Sequence, residues 1–265
     1  MNKLTMNFKF IFQLICFGFI FSGCNKEKEV IDPYLNADPA WLCGTEAAYA
    51  QCLTPKFSPE YYIDQGIKYF LTMESSVPID VIPFYSDYVV RWEWPPWLLL
   101  TGFGRNGLII SDILLKLNPT SYDLLDCRFF EEQPFCRCHV IFNYSGDLCP
   151  IYEEFTFNDQ GEITFIEAWS DYPTLIPMDV TDYWAEGDNV TRLATRVPGL
   201  GNEEGKINIF ADYMTNAAAE DADLAEMVYR CKQPISTWLE LLAETFEEVE
   251  QGCFLPEGDY YPYYP

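Results

Sequence analysis

An α+β fold is what this sequence predicts, and three observations predict it. A helix-like block, "FSPEYYIDQGIKYFLTME" at residues 57–74, stands near the start of the folded part. Four strand-like runs, "DCRFFEE", "CRCHVIFNY", "PIYEEFTFN" and "EITFIEAWS", then follow one another, separated by turn chemistry such as "YSGD" and "NDQG". From about residue 172 the pattern changes again, to helices and loops.

The first 23 residues stand apart from that fold. Lys3 and Lys9 precede the apolar run "IFQLICFGFIF", which is short for a membrane span and is followed by "SGC". This is the pattern of a secretory signal, and its ending resembles a bacterial lipobox, with Phe21 where Leu is usual. The resemblance implies that Cys24 is acylated and becomes the mature N-terminus, and Asn25 after it fits sorting to the outer membrane. An ordinary cleaved signal without lipid is the alternative. Residues 24–42 are polar, charged and proline-punctuated, as a tether is. Two or three acyl chains would meet the requirement for stable anchoring in a bilayer.

Each element of the folded part has its own signal. In the block at 57–74, Ser58 is a candidate cap, Pro59 suits the first helical position, and Gly66 weakens the pattern. "YVVRWEW" alternates like a strand and is broken by Pro95 and Pro96; "LIISDILLKL" has the length of a short helix. "GFGRNG" at 102–107 lacks the lysine of a phosphate loop and reads as a plain loop. Beyond the four strands, "GKINIFADYMTNAAAEDADLAEMVYRC" reads as helical. "PISTWLELLAETFEEVEQGC" repeats apolar residues at Ile235, Trp238, Leu239, Leu242, Phe246 and Val249, as an amphipathic helix does. The division that follows is a domain at 43–175, a helical extension at 176–254 and a loose tail at 255–265.

Charge excludes one class of partner. The chain carries 41 acidic against 16 basic residues, a net charge of −25, whereas nucleic-acid binding runs on Lys and Arg. Binding to anionic headgroups is excluded on the same ground, so the lipid would supply the membrane contact. Hydrophobic residues at 49% suffice for a core. The sequence does not identify a protein partner.

Cys43, Cys52, Cys127, Cys136, Cys138, Cys149, Cys231 and Cys253 remain outside the leader and the lipid site, and an even number suits disulfides in an oxidising space. About 18 helical residues would hold Cys231 and Cys253 roughly 27 Å apart, too far to pair. Cys136 and Cys138 fall on one face of a strand and each seeks its own partner, while Cys127 and Cys136 flank a segment that a disulfide would close as a hairpin. "CRCH" also suggests soft metal ligands in Cys136, Cys138 and His139, but the second half of a zinc motif is missing and the exported context favours disulfides. His139 is the single histidine, which excludes mechanisms that need two.

N-terminal helices before meandering antiparallel strands, ending in "FTFNDQGEITFIEAWSD", resemble the NTF2-like superfamily, which includes SnoaL-like cyclases and ketosteroid isomerases. Phe157, Asp159, Gly161, Ile163, Trp169 and Asp171 carry the resemblance. It implies a cone, in which a curved antiparallel sheet wraps N-terminal helices and leaves a pocket at the open end. The extension would cover that pocket, pack outside it, or form a partner surface.

"NDQG" suits a turn with Gly161 in the left-handed conformation. Asn158 then opposes Glu162, and the pairs beyond are Phe157–Ile163, Phe155–Phe165, Glu153–Glu167 and Ile151–Trp169. Glu153 and Glu167 would stand about 5 Å apart on an otherwise apolar face, where one would hold a proton and form a coupled acid–base pair. Asp171 has the same parity, and His139 is a further candidate. A register shift of one would instead separate the two glutamates, and Glu153 has Arg128 and Arg137 as alternative ion-pair partners. Trp92, Trp94, Trp169, Phe165 and Phe155 are candidate contacts for an apolar ligand. The expectation is a lipoprotein that binds a small, largely apolar ligand without a cofactor. The alternatives are a cofactor-independent isomerase, cyclase or hydratase using the glutamate pair, and a non-catalytic interaction module.

Overall fold

The computed structural model describes residues 54–94, 101–117, 120–144, 146–170, 176–179, 181–187, 192–194, 196, 209–210, 212–238 and 240. The lipidation candidate Cys24, the tether, Asp171, Trp97, most of the amphipathic segment after Trp238 and the tail lie outside them.

Helix α1 (Pro59–Met73) starts where Pro59 allows, with Ser58 extended at the cap position, and it buries Tyr61, Tyr62, Tyr69 and Phe70 along one face. Strands β1 (Tyr85–Glu93) and β2 (Gly102–Phe103) pair antiparallel. Helix α2 (Arg105–Leu115) follows directly, so "GFGRNG" is a strand, a turn at Gly104 with φ 82°, and the first helical turn, not a plain loop. Strands β3 (Thr120–Phe129), β4 (Cys136–Tyr144), β5 (Asp147–Phe157) and β6 (Ile163–Ser170) form an antiparallel meander. β1 then lies parallel to β6, giving one six-stranded sheet in the order β2-β1-β6-β5-β4-β3. Register irregularities in the β1–β6, β3–β4 and β5–β6 pairs bend such a sheet. The fold is therefore α+β with a curved, mostly antiparallel sheet and few helices.

Two cores lie on the two faces of this sheet. On the inner face α1 and α2 pack against Cys138, Val140, Phe142, Phe155, Phe157, Ile163, Ile166 and Ala168. Stacked and edge-on rings join Tyr62 to Phe129, Phe135 and Phe157, and Phe70 to Phe142 and Phe155. On the outer face Val90, Trp92, Trp94, Tyr152, Phe165 and Trp169 are covered by Ile176, Met178, Leu193, Met214, Leu224 and Met227. The described residues between Ile176 and Cys231 that join this core thus pack on the outer face, while Trp238 joins the inner one. The described start of the chain after residue 175 is not helical, contrary to expectation: β7 (Met178–Asp179) and β8 (Asp182–Glu186) form a hairpin. Helices α3 (Asp212–Ala218) and α4 (Ala222–Cys231) come later, divided where Asp221 caps α4 by accepting from the Asp223 and Leu224 amides.

Candidate functional site

The turn between β5 and β6 forms as its residues dictate. Asn158 N donates to Glu162 O at 3.0 Å, Gly161 N donates to Asn158 O at 3.1 Å, and Gly161 has φ 81°. Asn158 Oδ1 also accepts from the Gln160 and Glu162 amides, the local bonding that makes Asn a turn residue. Phe157 then opposes Ile163 as expected. One residue further the register slips, because Thr156 opposes Phe165 and Thr164 bulges out, its hydroxyl donating to Thr156 O at 3.2 Å.

That bulge overturns the expected glutamate pair. Glu154 opposes Glu167, whereas Glu153 opposes Ala168. Glu153 and Glu167 therefore face opposite sides of the sheet and cannot form one acid–base dyad. His139 is no substitute, since it alternates with Cys138 and Val140, lies on the outer side and stacks on Tyr183 at 4.0 Å. Burial lowers its pKa. Arg128 pairs with Asp126, and Arg137 with Glu186 and Glu154, so neither serves Glu153.

What Glu153 meets instead is a polar cluster in the inner core. Glu93, Ala168 and Glu153 occupy one row across β1, β6 and β5, and Arg91, Ile166 and Phe155 occupy the next. Ala168, with a single methyl group, stands between the two glutamates in that row. Arg91, only 1% exposed, gives Nη1 to Asp112 Oδ1 at 2.5 Å and to the Tyr69 hydroxyl at 3.2 Å, and Nη2 to Ser111 Oγ at 3.2 Å. Its Nε lies 2.9 Å from Glu93 Oε1 but off the hydrogen-bond direction, an ion pair without a hydrogen bond. Tyr69 comes from α1, Ser111 and Asp112 from α2, so both helices are pinned to the sheet through one guanidinium.

Three carboxyl groups share this one cation. Burial, then the neighbouring Glu93 charge, pushes Glu153 well above the usual carboxylate range, against the pull of Arg91. Burial pushes Glu93 up to about 7 and raises Asp112 despite its contact with Arg91. Carboxylates gathered around one cation in a shielded site disfavour one another's charged form, and all three shifts run in that direction. Glu153 Oε2, Asp112 Oδ2 and the Tyr85 hydroxyl are buried without a hydrogen-bond partner. Native interiors pair nearly all such atoms, which makes three orphans around one guanidinium the signature of a candidate site.

The outer face also buries carboxylates, with a different outcome. Arg192 Nε and Nη2 grip both oxygens of Glu154 at 2.6 Å, and the Tyr152 hydroxyl adds a bond at 3.0 Å. Arg192 and Arg137 each reach Glu186 at 2.6 Å. Glu167 accepts from Trp94 Nε1 at 2.8 Å, from the Ala194 amide at 2.9 Å and from the Leu193 amide. Burial outweighs those donors and raises Glu167 to about 8. These groups tie residues 192–194 to the sheet.

The expected ligand contacts divide in the same way. Phe155 faces inward, while Trp92, Trp94, Trp169 and Phe165 face outward under the later chain, so the five do not line one cone. Sequence reasoning passed over Arg91, Glu93 and Asp112. The available signal for two of them was Arg91 and Glu93 alternating with Trp92 and Trp94 in "YVVRWEW", on the side of the strand opposite the tryptophans.

The cysteines correct a further expectation. Cys127 is bonded to Cys138, its direct cross-strand neighbour, and not to Cys136. Cys149 is disulfide-bonded, whereas Cys136 and Cys231 are buried free thiols. Cys43, Cys52 and Cys253 lie outside the described residues.

No family model matches this sequence, and no curated protein matches it. Among solved structures, a crystal structure of a de novo designed protein with curved β-sheet aligns at 14% identity over 43% of this chain and 88% of that chain, with a TM-score of 0.34. At that score the likeness adds nothing to the fold described above.

Proposed function

We propose that this chain is an NTF2-like lipoprotein of the outer membrane, anchored through Cys24, whose inner cluster takes the polar head of a small ligand. The order of elements supports the family: a helix, then strands ending in the Asn158–Gly161 turn, wrapped around that helix. The observation that carries the binding reading is the orphaned set Glu153 Oε2, Asp112 Oδ2 and Tyr85 hydroxyl beside Arg91. Glu153 and Asp112 each keep an acceptor oxygen even with a proton on, so the head they suit is a hydrogen-bond donor such as an amine or a hydroxyl.

A second reading, acid–base catalysis, is favoured by the raised pKa of Glu153 beside an arginine. The acid would be Glu153 with Glu93 or Asp112 as its partner, in place of Glu167. Thermal shift of the mature chain against short-chain amines, alcohols and carboxylic acids tests the binding reading. Amines or alcohols should raise the melting temperature, carboxylic acids should not, and Glu153→Gln should abolish the gain. Equal shifts for all three classes would sink it.

A further inference from the structure

Glu153 is flanked on its own row by Cys138 and then by Cys127, and a third sulfur joins them. Cys136 lies two residues before Cys138 on the same face, with Sγ atoms 3.8 Å apart. All three Sγ atoms lie within 4.8 Å of one another, and all three residues are buried. The helix opposite them is cut away to fit: a Cβ on Gly66 of α1 would meet Cys136 Sγ at 2.6 Å and Cys138 Sγ at 3.1 Å. This explains a glycine in the middle of a helix, where it costs about 1 kcal/mol relative to alanine.

We propose that, once the Cys127–Cys138 bond is reduced, Cys127, Cys136 and Cys138 form a buried site for a thiophilic d10 cation, with Cu(I) the best match. A cation held trigonally by sulfurs at about 2.3 Å sets those sulfurs about 4.0 Å apart, close to the 3.8 Å between Cys136 and Cys138. Among the described residues the cluster offers three sulfurs and no nitrogen, a donor set that favours Cu(I) over harder ions. Of these three, Cys136 alone is a thiol in the oxidised state, and burial keeps its proton on. Reduction takes two electrons and two protons from a dithiol, which leaves as a disulfide; the sulfur–sulfur bond breaks and two thiols form. Cu(I) then displaces thiol protons to the solvent, as metal binding to cysteine requires. His139 takes no part, since it faces the other side of β4, which replaces the "CRCH" chelate with a cross-strand set.

The test is anaerobic titration of the full mature chain with Cu(I), in the oxidised state and after reduction by dithiothreitol, beside Cys136→Ser, which disturbs no disulfide. The reduced chain should gain one Cu(I) more than Cys136→Ser under a competing chelator, with an ultraviolet sulfur-to-copper band that the oxidised chain lacks. Equal uptake by the reduced chain and by Cys136→Ser overturns the proposal, as does the same uptake by the oxidised chain. Should Cys136→Ser fail to fold, copper K-edge absorption on the reduced wild-type chain decides. Three sulfur neighbours are expected, and two or fewer contradict the site.

Discussion

The two faces of the sheet bury carboxylates at neighbouring positions, Glu153 inward and Glu154 outward, yet treat them in opposite ways. Glu154 has both oxygens held by Arg192 and one also by Tyr152, and it fixes the later chain to the sheet. Glu153 shares Arg91 with two other carboxyl groups and keeps one oxygen orphaned. Charge buried with a full set of partners is structural, whereas charge buried without one is held at a cost that a fold bears for another reason. The difference separates a fastening from a candidate site.

The largest effect should come from breaking the fastening. Arg192→Met leaves the buried Glu154 with only the Tyr152 hydroxyl and Arg137 at 3.8 Å, and chemical denaturation should show a loss of about 3–5 kcal/mol. Next, Gly66→Ala forces a Cβ against Cys136 Sγ and should cost about 1–3 kcal/mol, read from the same denaturation curves. The pH dependence is sharper still as a comparison. Glu93 and Glu167 have folded pKa values of about 7 and about 8 against 4.5 when free. At these two groups the folded state therefore binds more protons than the unfolded one between those limits, so the stability they contribute is fully present below about pH 4.5 and is lost as pH rises through 7 to 8. Glu93→Gln should flatten the lower part of that decline and leave the upper part, assigned to Glu167, in place. The smallest effect is expected at Glu153: Glu153→Gln replaces a carboxyl group whose charged form burial already disfavours with an amide of the same shape, and should change stability by about 1 kcal/mol or less, in either direction. Equal losses from Arg192→Met and Glu153→Gln would erase the distinction between the faces.

Much of the fold was legible because its signals are local. Pro59 after Ser58 set the start of α1, the alternation of "CRCHVIFNY" gave β4 its bounds, and "NDQG" with a left-handed Gly161 gave the final turn. The site was not legible for an equally local reason. One bulged residue, Thr164, moves every partner on β6 by one place and sends Glu167 to the far side from Glu153. A trace of the bulge was present in Phe165 and Ile166, adjacent apolar residues that break the alternation and are both buried, on opposite faces. Arg91 and Asp112 stand 21 residues apart on a strand and a helix, and no spacing in the sequence announces that they meet. Cys127 and Cys138 pair through the β3–β4 register, which the choice between Cys136 and Cys138 could not supply in advance.

Carboxyl-carbon NMR titration of the mature chain, with Glu93→Gln and Glu153→Gln for assignment, tests the inner cluster most directly. Glu153 should titrate well above the ordinary carboxylate range, and its midpoint should fall when Glu93 loses its charge. A Glu153 that titrates in the ordinary carboxylate range, unmoved by Glu93→Gln, would contradict the account.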